Sequence, residues 1–174
     1  MKNLRSYDPK EAYVIKSGKR KNKALEVLMF NDYGFLRWHY SELEKKYSSN
    51  EGRNNYHRHL IWLLRRGENR QPKMDCPICG ENKVEYFSVR YSRGTDLFSV
   101  GPQHTCCESK DCKRRIESNS FGGNLHFYEP RFSNVIKITS KKGDRKRITD
   151  LYRSIYKLEG RLTKEKAFNF FKAE

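Results

Sequence analysis

The amino-acid sequence predicts an α+β fold, and two kinds of residue pattern carry that prediction. Residues 84–91, 97–100 and 125–128 are rich in β-branched and aromatic side chains, which is typical of strands. Residues 35–47 and 56–66 carry apolar side chains at spacings of three and four, which is typical of amphipathic helices. The 174 residues are 36% hydrophobic and 13% aromatic, so the chain can fill one or two small cores. A large multidomain enzyme is excluded.

Positive charge is concentrated in the two flanks of the chain. Lys and Arg total 37 against 21 Asp and Glu, which gives a net charge of +16. Residues 1–70 carry a net charge of +8, residues 71–118 carry +1 and residues 119–174 carry +7. We therefore predict three parts: a basic, mainly helical module at 1–70, a nearly neutral central segment at 71–118 and a basic α+β segment at 119–174. The excess of cations makes a polyanion the expected partner.

The first flank predicts a strand, a turn and two helices. Residues 11–16 predict the strand, and the basic run that begins at Gly18 predicts the turn. The first helix starts near Phe35, and the second, at 56–66, is expected to stop at Gly67. We expect a core that includes Phe35, Leu36, Trp38 and Leu43.

Two motifs in this flank point to a known family. They are Gly18-Lys19-Arg20-Lys21-Asn22-Lys23-Ala24-Leu25-Glu26 and Asp32-Tyr33-Gly34-Phe35-Leu36-Arg37-Trp38. Residues 11–66 thereby resemble the small module at the carboxy terminus of exodeoxyribonuclease X-like proteins, which has an aromatic residue at the position of Arg20 and glycine at that of Asn22. The resemblance implies an accessory module that accompanies nucleic-acid enzymes and has no catalytic residues of its own.

The cysteines predict a metal site in the central segment. The run Cys76-Pro77-Ile78-Cys79-Gly80 has the residue types of a zinc knuckle, because two thiolates at this spacing chelate one metal and the glycine permits the turn. A second close pair follows, with Cys106 and Cys107 as alternatives for its first member. The predicted zinc ligands are Cys76, Cys79, Cys107 and Cys112. His104 is expected to be a neighbour of the site and not a ligand.

The segment between the two cysteine pairs predicts an antiparallel hairpin. Residues 84–91 and 97–100 form its strands, and residues 92–96 its turn, so that the hairpin lies between two knuckles. The spacing from Cys107 to Cys112 is similar to that in zinc fingers of phage late-transcription activators. The spacing from Cys106 instead resembles zinc ribbons of type I topoisomerases. Both resemblances imply four-cysteine zinc coordination, and residues 71–118 are therefore predicted to form a zinc ribbon.

The last segment combines strands with helices. Residues 125–128 and 134–139 predict two strands, and the basic run 141–147 predicts an exposed turn. An amphipathic helix is expected from Thr149 onward, and Thr163 is expected to cap a final helix.

The sequence offers no clear catalytic constellation. Its acidic residues are scattered, and His57 and His59 diverge by about 200° on a helix. His126, the candidate for an HNH-like nuclease, has no obvious partner carboxylate nearby in the sequence. We therefore expect a non-catalytic, zinc-containing protein that binds DNA or RNA. A zinc-containing nuclease and an adaptor that docks an acidic protein are the alternatives.

Cations of both flanks are predicted to contact phosphates, and aromatic residues of the hairpin to stack on bases or fill its core. The cations are Lys19, Arg20, Lys21, Lys23, Lys141, Lys142, Arg145, Lys146 and Arg147. The aromatic residues are Tyr86, Phe87, Tyr91 and Phe98. The sequence has no apolar run long enough to span a bilayer and no export signal at its start, so we expect a soluble cytoplasmic protein.

Overall fold

The computed structural model describes residues 7–46, 54–91, 97–98, 104–119, 125–138 and 142–173. In chain order the helices are α1 (Leu25–Asn31), α2 (Tyr33–Lys46), α3 (Asn55–Glu68), α4 (Lys110–Ser118), α5 (Phe132–Ile138), α6 (Lys142–Ile155) and α7 (Lys164–Lys172). The strands are β1 (Tyr86–Tyr91), β2 (Leu97–Phe98), β3 (Thr105–Cys106) and β4 (Leu125–Tyr128). These elements confirm the predicted α+β class. No helix in the described part of the chain is both long and apolar enough to cross a membrane.

The chain forms two compact units. The first comprises Met1–Arg70 together with Arg161–Glu174, and the second comprises Gln71–Gly160. The second unit thus contains the whole predicted central segment and most of the segment that follows it. The last helix, α7, belongs instead to the first unit, where it packs against α1 and α3.

Polar side chains define the starts of α2, α3 and α7 in the first unit. Asp32 separates α1 from α2, and its Oδ1 atom accepts a hydrogen bond from the backbone N–H of Phe35 at 3.2 Å. The side chain of Asn54 caps α3 in the same way. Thr163 caps α7, as predicted, by accepting a hydrogen bond from the backbone N–H of Lys166 at 3.2 Å. Gly67, the expected end of α3, lies buried inside that helix.

The predicted strand at 11–16 is reduced to a single bridge between Val14 and Ala24. The backbone N–H of Ile15 donates to the carbonyl of Lys23 at 3.0 Å, so the two arms close around the basic turn. Helix α1 begins at Leu25, directly after Ala24, so the second arm cannot continue as a strand.

Trp38 was expected in the core, and this expectation is wrong. Leu36 and Leu43 are buried on α2, whereas the side chain of Trp38 is 61% exposed. Because successive helical residues are rotated by about 100°, Trp38 points about 200° away from Leu36.

Strand β1 is the centre of the antiparallel sheet in the second unit. Phe87 pairs with Thr105 of β3 and with Tyr128 of β4, so these two strands lie on opposite edges of β1. Arg90 likewise pairs with Phe98 of β2 and with Leu125 of β4, so these two strands also lie on opposite edges of β1. The sheet therefore places β2 and β3 along one edge of β1 and β4 along the other. The predicted pairing of β1 with β2 and the predicted strand at 125–128 are both confirmed.

The predicted strand at 134–139 is wrong, because residues Phe132–Ile138 form helix α5. Phe132, Val135 and Ile136 are buried, and their spacing of three and four places them on one helical face. The β-branched side chains favour a strand locally, but packing of this face against the rest of the unit decides the conformation.

The predicted turn at 141–147 is also wrong where the structure describes it, since α6 begins at Lys142. Lys and Arg are good helix formers, and the basic run is continuous with a buried stripe of apolar residues. This stripe consists of Ile148, Leu151, Tyr152 and Ile155. The helix therefore starts about two turns before the predicted position at Thr149.

Candidate metal centre and basic surface

The first cysteine pair lies on a tight turn. The backbone N–H of Cys76 donates to the carbonyl of Asn82 at 2.7 Å, and the N–H of Gly80 donates to the carbonyl of Cys76 at 2.8 Å. Gly80 has a φ of +73°, a left-handed conformation that favours glycine. These contacts form the predicted knuckle and direct Cys76 and Cys79 toward one point.

The second cysteine pair does not form a second knuckle. Cys107 directly follows β3, and Cys112 lies in the first turn of α4. The backbone N–H of Cys107 donates to the Sγ atom of Cys76 at 3.4 Å, which links the second pair to the first. A knuckle, a strand end and a helix thus supply the four thiols.

The four sulfur atoms fit a tetrahedral metal site. The Sγ atoms of Cys76, Cys79, Cys107 and Cys112 all lie within 4.8 Å of one another. Those of Cys79 and Cys107 are 3.9 Å apart, whereas zinc–sulfur bonds of about 2.3 Å in a tetrahedron place sulfurs about 3.8 Å apart. A disulfide would require about 2 Å, and all five cysteines are free thiols.

Hydrogen bonds and burial act differently on the four thiols. Backbone N–H groups of Asn82 and Glu81 lower the pKa of Cys79 to about 6. Burial raises the pKa of Cys107 and raises that of Cys112 to about 12. A metal ion would therefore find Cys79 already ionised at neutral pH and would displace protons from the two buried thiols.

Cys106 and His104 lie outside the group of four sulfurs. The side chain of Cys106 is fully buried, and burial raises its pKa to about 12. It packs with Ile116 and the buried cysteines in a small apolar cluster, against which Ile78, Tyr86, Leu125 and Phe127 are half-buried. His104 is half-buried, and burial followed by the charge of Arg90 lowers its pKa.

The first predicted cation cluster forms a turn in which glycine and asparagine adopt left-handed conformations. Gly18 has a φ of +78° and Asn22 a φ of +66°. Asparagine tolerates this region. Asn22 can therefore form the turn at the position where the exodeoxyribonuclease X-like module has glycine. The side chains of Lys19, Lys21 and Lys23 are exposed.

Arg20 differs from the lysines of this turn. Its Nε atom donates to the Oδ2 atom of Asp32 at 2.6 Å, and its guanidinium forms an ion pair with the same carboxylate. Arg20 therefore ties the turn to the start of α2, and part of its charge is already neutralised by Asp32.

The second predicted cation cluster lies on α6. Lys146 and Arg147 are exposed there, and α6 also includes Lys142 and Arg145, whereas Lys141 lies outside the described residues. Because adjacent helical residues differ by about 100°, Lys146 and Arg147 point in different directions.

The hairpin aromatics divide between core and surface. Phe87 is fully buried, so it fills the core and is not available to stack on a base. Tyr86 is half-buried, and the Nζ atom of Lys113 lies 3.6 Å from the centre of its ring. The side chains of Tyr91 and Phe98 lie outside the described residues.

A buried polar cluster in the first unit has no counterpart in the sequence predictions. Glu26 and His59 are 0% and 1% exposed, and the Oε1 atom of Glu26 lies 2.5 Å from the Nε2 atom of His59. The hydroxyl of Tyr7 lies 3.0 Å from Nδ1 of the same ring. Glu26 is the last residue of the first motif that resembles the exodeoxyribonuclease X-like module. Its partner, His59, lies 33 residues further along the chain, and no local sequence pattern joins the two.

Within the described ranges, one group brings three or more possible metal-ligating side chains together, and it is the four-cysteine cluster. His126, the residue considered for a nuclease, is exposed on β4. The chemistry that the geometry supports is therefore metal coordination by thiolates. Comparison of the chain with protein-family models, curated proteins and solved structures finds no match.

Proposed function

We propose that this protein holds one zinc ion through Cys76, Cys79, Cys107 and Cys112 and binds nucleic acid without catalysing a reaction on it. The observation that carries the proposal is the convergence of four Sγ atoms within 4.8 Å. Four thiolates at this separation are a soft, tetrahedral donor set, which suits zinc.

The zinc ion would have a structural role. Four thiolates complete the coordination of tetrahedral zinc, so no position stays open for water or a substrate. The ligands join the knuckle to the end of β3 and the first turn of α4. The apolar cluster around them is small, and metal coordination would hold the knuckle, the end of β3 and α4 together at this place in the unit.

The nucleic-acid part of the proposal is supported by charge. The chain carries a net charge of +16, and Lys19, Lys21 and Lys23 crowd their exposed ammonium groups onto one short turn. Such cations repel one another unless an anion lies across them, and phosphates neutralise them with release of counterions. Lys146 and Arg147 offer a second set of exposed cations on α6.

Family and location are part of the same proposal. The resemblances to the exodeoxyribonuclease X-like module and to the fingers of phage late-transcription activators both support nucleic-acid binding. Five free thiols suit a reducing compartment, and we propose a cytoplasmic location on that ground.

Three measurements test this function. Metal analysis of the purified protein should give one zinc per chain. Fluorescence anisotropy with labelled single- and double-stranded oligonucleotides should show binding whose affinity falls steeply with salt. Incubation of the same oligonucleotides with Mg²⁺ or Mn²⁺ should leave them intact. A folded protein without metal would contradict the zinc site. The absence of oligonucleotide binding at low salt would contradict nucleic acid as the ligand. Cleavage of the oligonucleotides would favour the nuclease alternative.

A further inference from the structure

Trp38 exposes an aromatic surface on α2. Its side chain is 61% exposed, whereas the other tryptophan, Trp62, is 8% exposed. Among the described residues, the other exposed large apolar side chain is Val14, at 38%. Leaving an indole in water forgoes the stabilisation that its burial would bring, and exposed tryptophans are typical of binding surfaces.

Aromatic rings from two helices support the indole. The ring centre of Trp38 lies 4.6 Å from that of His39, which lies 5.0 Å from that of Tyr56 on α3. Phe35 also contacts the imidazole, with ring centres 4.3 Å apart. His39 and Tyr56 are half-buried. The exposed ring thus ends a packed row of aromatic rings that runs from α2 to α3.

The basic turn is attached to the start of the helix that carries Trp38. The contact between Arg20 and Asp32 fixes the basic turn to the start of α2. Trp38 follows Asp32 by six residues, which corresponds to about 9 Å along the helix axis. Arg37, beside Trp38 in the sequence, is also exposed. Glu42 is an acidic residue about one helical turn after Trp38, and its negative charge interacts with His39.

We propose that Trp38 is a stacking platform for an unpaired base of a single-stranded nucleic acid, with Lys19 and Lys21 contacting neighbouring phosphates. This inference rests on the proposed function. Each base has an aromatic face that can stack on an indole, and cations beside the stack bind the backbone. In a duplex these faces are covered by neighbouring base pairs, so the platform selects single strands.

The two tryptophans allow a direct test by fluorescence. Trp62→Phe leaves Trp38 as the only indole, and Trp38→Phe leaves the buried Trp62 as a matched control. Titration of the full-length Trp62→Phe variant with a thymidine 15-mer should quench its emission to saturation. The Trp38→Phe variant should show little quenching. A blunt-ended duplex without loops should quench neither variant strongly.

Affinity measurements separate stacking from charge. Trp38→Ala should weaken binding of the thymidine 15-mer about tenfold without changing the dependence of affinity on salt, because the indole carries no charge. Its thermal transition should match that of the wild type, since the side chain is largely exposed. Trp38→Phe should retain part of the affinity.

The possible outcomes distinguish a failure of the stacking platform from a failure of the proposed function on which it rests. Salt-dependent binding with no quenching of Trp38 and no loss in Trp38→Ala would overturn the platform and leave the proposed function intact. Equal quenching by the blunt-ended duplex would overturn single-strand selection. Self-association that Trp38→Ala abolishes would assign the indole to contact between copies of the chain. No binding to either nucleic acid at low salt would overturn the proposed function and the platform with it.

Discussion

The Sγ atom of Cys79 lies 3.9 Å from the Sγ atom of Cys107, which follows it by 28 residues. The knuckle positions the first thiol, and the pairing of β3 with β1 delivers the second. This proximity therefore depends on the sheet, and a metal held between the thiols would in turn stabilise the sheet. Folding of the unit Gln71–Gly160 and metal binding should be coupled.

Single substitutions should distinguish the two adjacent cysteines. Cys107→Ser should reduce zinc content from one ion per chain to near zero, because serine is a poor zinc ligand and three thiolates hold the metal less tightly. Cys106→Ser should keep its zinc, since Cys106 lies outside the group of four sulfurs. Metal analysis after gel filtration measures both. Zinc loss in Cys106→Ser but not in Cys107→Ser would reverse the assignment.

Removing the metal should unfold the second unit. Zinc-site binding free energies of about 10–16 kcal/mol match or exceed the stability of a typical domain. A strong chelator should therefore make residues 71–160 sensitive to protease, and added zinc should restore protection. The first unit, which contains none of the four thiols, should stay resistant. Unchanged protection of both units after complete zinc removal would contradict a structural role.

Zinc affinity should fall as the pH is lowered. Burial raises the pKa values of Cys107 and Cys112, so both are protonated at neutral pH and must each release a proton to bind zinc. Because these two thiols alone release two protons, the apparent affinity should fall by at least about a hundredfold per pH unit between pH 8 and 6. Competition with a zinc-binding dye across this range measures the slope. A flat profile would show that the thiols are already ionised.

The sequence was informative where local patterns decide the structure. Spacing predicted α2 and α3, and the knuckle followed from the residue types between Cys76 and Gly80. Helix α4 was not predicted, because Cys112 and Ile116 are its only buried residues and they leave almost no apolar stripe. Helix α5 was mistaken for a strand, because in seven residues the β-branched composition outweighs the helical spacing.

Long-range contacts were beyond the reach of these patterns. The pairing of Glu26 with His59 joins α1 to α3, and nothing near either residue indicates the other. The exposure of Trp38 depends on which face of α2 the other helices cover. The choice of Cys107 over Cys106 in the cluster depends on where β3 ends and on how α4 follows it.

The buried pair in the first unit should be important for stability. Glu26→Ala should lower the free energy of unfolding by about 3 kcal/mol, because it leaves the buried ring of His59 without the carboxylate. Glu11→Ala is a matched control at an exposed position and should change it by less than about 0.5 kcal/mol. Urea denaturation measures both changes. Equal effects of the two substitutions would mean that the pair contributes nothing specific.

Within the first turn, Lys19 and Lys21 should act as binding residues and Arg20 as a structural one. Lys19→Ala combined with Lys21→Ala should lower the logarithmic salt slope of single-strand binding by about 1.4, because each phosphate contact contributes about 0.7. Stability should be unchanged, since both side chains are exposed.

Arg20→Ala should show the opposite pattern. Its contact with Asp32 holds the turn against α2, so its loss should lower the free energy of unfolding by about 1 kcal/mol. The logarithmic salt slope should fall by less than the value of about 0.7 that one phosphate contact contributes. Asp32 already neutralises part of the charge of Arg20. Oligonucleotide anisotropy between 50 and 200 mM salt, together with urea denaturation, measures both quantities. An unchanged slope in the double lysine variant would show that the turn is merely solvated, and the phosphates would then have to lie elsewhere.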